Sequence, residues 1–494
     1  MSEYTLQFPV EAYTMKQQTV QTAAGEKVVD YRCYEHIPYV TNPVDVEYES
    51  LDVWAPVSIN GEPVDTAKAP IFFVIGVGGY MSCNNVRPGM PGMPGGPDGP
   101  DGGPGGPDGG PSGPVGLVGL GGMGGPEANK YYALAYGFVV VSPGCRGRDN
   151  QWPDGTYYGK APAAIVDLKA AVSYLRHNKG VVPGNPDYIM SSGGSAGGAL
   201  SSLLASSGNA PEYKPYLKAI GAADEADNIY AAVGFSPIIN LENADGAYEF
   251  EMGSNPVSGP ATGPIHVKPG MVDQELSKEL IAEFRTYQDS LGLIGRGDFG
   301  VINTDNLGDY IMQYYLQPLA DKHLAGLDEA GRAAYLADRP WLSWDGEKAV
   351  FTYRDFLKAR GRMKGCPAFD DLDKAMAEPI LFGTETEDSR HFTTICLRRE
   401  TGDPASELDA DLQQVIYMMN PMNYTANPGC AQHWWLRHGA IEMDTSLPVF
   451  VDFVTSLENQ GKDVNGRLVW DGGHCADDDI EGPFPWLLNI IAAE

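Results

Sequence analysis

The chain is poor in positive charge: 34 lysines and arginines stand against 65 aspartates and glutamates in 494 residues, a formal net charge of −31. That balance repels phosphate backbones and anionic lipid, which argues against nucleic acid or membrane surfaces as partners. It favours solubility and says little about a substrate. Met1 to Gln18 lacks a basic segment followed by an apolar one, and no later run approaches ~18 consecutive apolar residues. Neither secretion nor membrane spanning is supported, and the expected location is the cytoplasm. Cysteines are few and scattered: Cys33, Cys83, Cys145, Cys366, Cys396, Cys430 and Cys475 are odd in number and show no C-x-x-C spacing. Reduced thiols fit this better than a disulfide framework or a zinc site.

Glycine and proline, by contrast, are abundant, with 61 and 38 copies, and many of them lie between Arg87 and Gly125. Gly89, Gly92 and Gly95 keep a period of three, but the register breaks at Gly95-Gly96 and again at Gly109-Gly110. A triple helix does not tolerate such breaks cheaply, so the segment reads as a disordered surface loop. The remainder has enough apolar residues, 43% of the chain, for a sizeable core. Ala69 to Val77 and Gly137 to Ser142 are β-branched and aromatic runs that read as buried parallel strands. Ile165, Leu168, Val172 and Leu175 recur at helical spacing, which predicts a helix over Ala163 to His177. A further strand is expected at Ala231 to Ile239. The strand and helix alternation returns in Trp434 to His438, Ser446 to Glu458, Arg467 to Trp470 and Phe484 to Ala493. Residues 1–239 and 430–494 are therefore read as one α/β core, and 240–429 as an insertion that supplies a lid and substrate pocket.

Within this core, Gly193-Gly194-Ser195-Ala196-Gly197 has the form G-x-S-x-G, between a strand-like Asp187 to Met190 and a helix-like Ala199 to Ala205. The bland reading is a small-residue turn. The strand-to-helix context favours a nucleophile elbow, in which a serine on a sharp, strained turn needs small neighbours two residues to either side. A serine nucleophile needs a base and an orienting acid, which in α/β-hydrolases follow it in chain order on loops after late strands. His474 is the best-placed base, because it lies just beyond the strand Arg467 to Trp470. His433 and His438 flank or lie in a strand, and His391 lies in the insertion. The acid falls in Arg437 to Asp444, where hydrolases of this fold often carry H-G-x-x-D and the aspartate position holds Glu442. Asp444 is the second candidate, with a helix N-cap as its alternative role. The oxyanion donors are expected at Ala196 N–H and at Gly78 or Gly79 in the loop Gly76 to Tyr80. That loop has no phosphate-cradle pattern.

The flanking sequence resembles the bacterial tannase family, tannin acyl hydrolases of the α/β-hydrolase fold. The resemblance rests on Gly194 to Leu203, Arg362-Met363-Lys364, Pro367 to Asp370, Glu378 before Leu381-Phe382-Gly383, Arg437 to Ser446, Gly461 to Val464, and Trp470-Asp471 leading to His474. It implies a mostly parallel sheet flanked by helices, with a large lid insertion. It also implies that a galloyl ring is held by Lys364, Glu378 and Asp444, which face its phenolic hydroxyls. Taken by residue type alone, Lys364 and Glu378 would be solvated surface charges. The chain departs from the family in having Glu442 where aspartate is usual, and in the long glycine-rich insertion. The cysteine pair that fungal tannases and feruloyl esterases place beside the serine and histidine is missing, because Gly194 precedes Ser195.

The expected protein is thus a serine esterase of hydroxylated aromatic acids that uses no metal or organic cofactor, with a small aromatic ester as its partner. A feruloyl or general carboxylesterase is the nearest alternative. A non-catalytic scaffold that retained the fold is an alternative of another class. A serine peptidase fits less well, because the N-terminal part is too short for a propeller.

Overall fold

The computed structural model describes residues 4–84, 125–258 and 268–494, with only the backbone of 125–128. The glycine- and proline-rich segment, apart from its last residue, lies outside them. Among the described residues, ten strands form one sheet. They are β1 (Thr14–Thr22), β2 (Gly25–Pro38), β3 (Ser50–Ile59), the two-residue β4 (Glu62–Pro63), β5 (Ile71–Val74), β6 (Val139–Pro143), β7 (Ile189–Gly194) and β8 (Ala231–Phe235), and, after a separate hairpin of β9 (Ser343–Trp344) and β10 (Ala349–Val350), β11 (His433–Gly439) and β12 (Asp463–Val469). Their order is β1-β2-β3-β6-β5-β7-β8-β11-β12, with β4 beside β3. From β6 to β12 every pair is parallel, whereas β1 to β4 and the β3–β6 pair are antiparallel.

Both faces of the parallel part are covered, which is why its strands read as unbroken apolar runs rather than alternating ones. Ile71, Phe73, Val139, Val141, Ile189, Trp434 and Leu436 point into one hydrophobic cluster with the helices Ala163–His177, Ala196–Ser206 and Leu447–Asn459. Phe72, Val140, Met190, Val233 and Trp435 point the other way, against the helices Gly125–Ala135 and Pro483–Ala493. A fully buried side chain of this size contributes roughly 1.5–3 kcal/mol, so the sandwich of layers is the main source of stability.

The helix predicted over Ala163 to His177 has those limits, and Ile165, Leu168, Val172 and Leu175 are fully buried. It is buried on its outer side as well, because the helix Lys214–Ala219 lies against it. Polar residues there are paired: Asp167 with Arg146 at 2.7 Å, and Lys169 with Asp227 at 2.9 Å. The strand expected at Ala231 to Ile239 stops at Phe235, since Ser236 and Asn240 adopt positive φ and turn the chain into the helix Leu241–Met252. Residues 240–429 are mainly helical between β8 and β11, and their Phe284, Tyr310, Leu381 and Phe382 join the same cluster as Leu447 and Phe450. No helix among the described residues is long and apolar enough to cross a membrane.

Candidate active site

The chemistry-bearing residues collect at the C-terminal ends of β5, β7, β8, β11 and β12, where a parallel sheet gathers its loops. Ser195 follows β7 directly and has φ 57° and ψ −125°, a strained conformation for a residue with a side chain. Its N–H donates to Phe235 O at 2.9 Å, and Ile238 N–H donates to its carbonyl at 3.3 Å, so the end of β8 locks the turn. Its neighbours must be small. A Cβ on Gly193 would lie 2.3 Å from Gly197 O, and one on Gly197 would lie 2.7 Å from Val77 O. The expected elbow geometry is therefore present, and Ser195 keeps partial access to solvent.

The second contact of Gly197 matters further. It sets the first turn of the helix Ala196–Ser206 against the loop that follows β5. The first N–H groups of a helix have no acceptor within it, so Ala196 N–H is left without a partner from its own helix. Met81 N–H donates to Gly78 O at 3.0 Å and Tyr80 O–H donates to Ile238 O at 2.7 Å, which holds the loop in place.

His474 lies beyond β12, next to Cys475, which packs on the same turn. A Cβ on Gly194 would be 3.1 Å from Cys475 Sγ, so the residues flanking the serine and the histidine touch. His474 Nδ1 is 2.8 Å from Glu442 Oε1 and 3.6 Å from Asp444 Oδ2. With Nδ1 occupied, Nε2 is the nitrogen left for a hydroxyl. Glu442 is buried, and its carboxylate is held from several sides. Thr445 donates to Oε1 at 2.9 Å, and Ser236 makes a short hydrogen bond to Oε2. The Ser236 oxygen also accepts from Cys475 N–H at 3.0 Å. Burial acts to raise the Glu442 carboxyl, but His438, His474 and the Ser236 hydrogen bond outweigh it and hold it well below the usual range. For His474 burial acts in the opposite sense, and Glu442 overcomes it, raising the imidazole well above 6.5. An imidazole paired with a buried carboxylate, close to a serine on a strained turn, is the kind of arrangement that supports nucleophilic acyl transfer.

The supporting group around Glu442 is what sequence reasoning missed. His438 Nε2 is 2.8 Å from Thr445 Oγ1, and Arg360 donates to the carbonyls of Glu442 and Thr445 while pairing with Glu251 at 2.8 Å. The signal available was the pair of polar residues, Arg437 and His438, directly after the apolar run Trp434 to Leu436. Ser446, not Asp444, occupies the N-cap position of the helix Leu447–Asn459, and Asp444 remains partly exposed toward His474.

Lys364 and Glu378 are both only 3% exposed, unlike ordinary surface charges. Lys364 Nζ lies 3.8 Å from the Phe369 ring centre, a cation–π contact. Glu378 Oε2 is buried and has no hydrogen-bond partner among the described residues. Burial raises the Glu378 carboxyl, the charges of Lys364 and Arg148 oppose this, and Asp444 adds to it. Glu378 therefore lies within electrostatic reach of both Lys364 and Asp444. Two surface clefts, each about 220 Å³, are lined by none of these residues.

Among the described residues, two groups of side chains have metal-like spacing: Glu442, Asp444 and His474, and Asp370, His391 and Cys396. In the first, the Glu442 oxygens already serve Ser236, Thr445 and His474. In the second, His391 Nδ1 is 2.7 Å from Asp370 Oδ1, and the other oxygen accepts from Phe392 N–H, Thr393 N–H and Thr393 O–H. That group reads as a hydrogen-bonded latch within residues 240–429.

The family profile described as BD-FAE matches residues 131–269. Esterase LipQ of Mycobacterium tuberculosis (strain ATCC 25618 / H37Rv) is 38% identical over 91 residues, which are 18% of this chain and 20% of that esterase. The match thus spans about a fifth of the curated relative's length. Among solved structures, Fusobacterium nucleatum tannase is 32% identical over 99% of this chain and 100% of its own, with a TM-score of 0.79. A tannin acyl hydrolase in complex with ethyl gallate is 31% identical over 98% of each chain, also with a TM-score of 0.79. The chain belongs to the bacterial tannase family and is a carboxylic ester hydrolase of the α/β-hydrolase fold.

Proposed function

We propose that this esterase cleaves galloyl esters through Ser195, His474 and Glu442. His474 Nε2 takes the Ser195 proton as the oxygen attacks the ester carbonyl, and Glu442 holds the imidazole and stabilises its charged form. Ala196 N–H, together with Gly78 or Gly79 N–H, holds the tetrahedral oxyanion. Collapse releases the alcohol, protonated by His474, and leaves an acyl-enzyme that water hydrolyses by the same route.

The observation that carries the ring assignment is the buried, unpartnered Glu378 oxygen in the same electrostatic space as Lys364 and Asp444. Neighbouring phenols donate to carboxylates and accept from an ammonium, so three ring hydroxyls satisfy this set. An ester without them leaves buried polar groups unpaired, which is the strongest basis for rejecting a substrate. Asp444 links the two halves in this reading, since it lies 3.6 Å from His474 and its charge acts on Glu378. Its neighbour relations also support reading residues 240–429 as the insertion that brings a ring pocket, with Lys364 and Glu378, over the core.

The test is hydrolysis of methyl gallate against methyl ferulate, with the variants Lys364→Met and Glu378→Gln. We expect preference for gallate, and a rise in its KM in both variants of about ten-fold or more. A preference for ferulate overturns the ring assignment. Retention of activity and of fluorophosphonate labelling by Ser195→Ala overturns the nucleophile.

A further inference from the structure

The segment after β6 holds the oxyanion loop through a series of contacts that the chemistry above does not use. Cys145 and Cys83 exchange two backbone hydrogen bonds, of 3.0 and 2.9 Å. Gly147 packs directly on Ser82, where a Cβ would lie 1.9 Å from the Ser82 nitrogen. Asp149 accepts from Ser82 N–H at 2.6 Å and from Ser82 O–H at 2.8 Å. Between these contacts stands Arg148, whose N–H donates to Tyr80 O at 3.0 Å and whose Nε donates to Gly79 O at 2.6 Å.

The second of those bonds falls at a sensitive place. Gly79 has φ 54°, in a glycine-rich loop whose backbone would otherwise sample many conformations. Met81 N–H, by holding Gly78 O, orients the peptide plane that carries the Gly79 N–H. Arg148 orients the next plane through Gly79 O, so both planes beside Gly79 are fixed.

Arg148 is itself tied to the other half of the site. Lys160 Nζ donates to Arg148 O at 2.9 Å, and to Asp388 through its carbonyl at 2.9 Å and its carboxylate at 2.8 Å. Ala161 N–H donates to Leu381 O at 2.9 Å, at the end of the short helix Ala377–Leu381 that carries Glu378. The guanidinium feels Glu378 first among its acidic neighbours, then Asp149 and Asp388.

We propose that Arg148 is a positioning residue that couples the oxyanion loop to the ring subsite: its Nε fixes the Gly79 carbonyl, while its own carbonyl is held by Lys160, which also holds Asp388 beside the segment that carries Glu378. The ring half of this statement rests on the galloyl reading above. The loop half does not.

The test measures kcat and KM for Arg148→Met and Arg148→Lys on methyl gallate and on p-nitrophenyl acetate, which has no ring hydroxyls to bind. Removing a whole oxyanion donor costs about a hundred- to a thousand-fold in kcat, and a displaced donor costs less. Arg148→Met is expected to lower kcat by about ten-fold on both esters and to raise KM for methyl gallate alone. Arg148→Lys restores the charge but not the Nε contact, so KM for methyl gallate returns toward the parent value while kcat stays low on both. A merely structural role would move kcat and KM together, or change neither. Arg148→Met with parental kcat on p-nitrophenyl acetate overturns the proposal. If circular dichroism shows that Arg148→Met does not fold, Arg148→Lys decides, and parallel changes in its kcat and KM overturn the coupling. A parent enzyme that does not hydrolyse methyl gallate refutes the galloyl reading instead, and p-nitrophenyl acetate still judges the hold on the loop.

Discussion

Shortening Glu442 to aspartate tests whether the extra methylene is part of the catalytic geometry. In the structure Oε1 lies 2.8 Å from His474 Nδ1 and 2.9 Å from Thr445 Oγ1. Withdrawing the carboxylate by one carbon–carbon bond, about 1.5 Å, opens the first contact to roughly 4 Å, outside hydrogen-bond range. The loop is not free to follow. Arg360 holds the carbonyls of Glu442 and Thr445 and is paired at 2.8 Å with Glu251, whose oxygens also accept from Leu447 N–H at 3.1 Å and Tyr353 O–H at 2.8 Å. A charge-assisted hydrogen bond contributes about 1.5–3 kcal/mol. At about 1.4 kcal/mol per decade, Glu442→Asp should lower kcat by about ten- to a hundred-fold, with KM for methyl gallate little changed. Glu442→Gln, which loses the charge and the imidazole's preferred tautomer, should cost more, on the order of ten-thousand-fold. Steady-state hydrolysis of methyl gallate measures both, and the rate of fluorophosphonate labelling provides a check that needs no ring binding. Parental activity in Glu442→Asp, combined with loss of labelling in Asp444→Asn, would falsify the assignment and make Asp444 the orienting acid.

Three further outcomes follow from the same contacts. Burial lowers the His474 imidazole, but Glu442 outweighs it and raises the group well above 6.5. A base must be neutral, so the acid limb of kcat/KM in the free enzyme should lie above pH 6.5 and move down in Glu442→Gln, and an unmoved limb would contradict this. Burial pushes the Asp452 carboxyl up to about 7, with the Gln288 hydrogen bond opposing. A raised folded-state value means a contribution that is complete below the unfolded value near 3.8 and is lost as pH rises through about 7. Asp452→Asn should therefore gain on the parent in urea denaturation between pH 5 and 8, by about 1–3 kcal/mol, whereas parallel pH profiles would rule this out. Gly197→Ala places a Cβ 2.7 Å from Val77 O and 3.0 Å from Ile75 O, both backbone, so the helix must shift away from the oxyanion loop. We expect a cost of about 1–3 kcal/mol in stability and a lower kcat on every ester, and unchanged kcat would show that the loop adapts.

The sheet was legible where its strands are buried on both faces, because Phe72 and Phe73, or Trp434 and Trp435, have to be apolar in either direction. It was not legible at β1, whose sequence Thr-Met-Lys-Gln-Gln-Thr-Val-Gln-Thr is that of an exposed edge with a single buried residue, Val20. There the pairing with β2, rather than any apolar pattern, makes the strand. Ser195 and His474 could be singled out as candidates because an elbow constrains its neighbours and a base is expected to follow a strand end. Lys364 and Glu378 could not be found by residue type, since burying a charge is a property of what surrounds it. Only resemblance marked them.

Glu442 shows the same limit from the other side. From the sequence, glutamate in place of aspartate requires either a retracted carboxylate or a shifted loop. The structure shows the length in use. From one backbone position, Oε1 reaches His474 beyond β12, and Oε2 reaches Ser236 at the end of β8. Ser236 is bent toward it by a positive φ of 42° and holds Cys475 N–H, the residue after the base. The longer acid therefore joins three strand ends in one hydrogen-bonded group. Replacing it with the family's usual aspartate would break at least one of those links unless Ser236 and the loop before Thr445 moved with it.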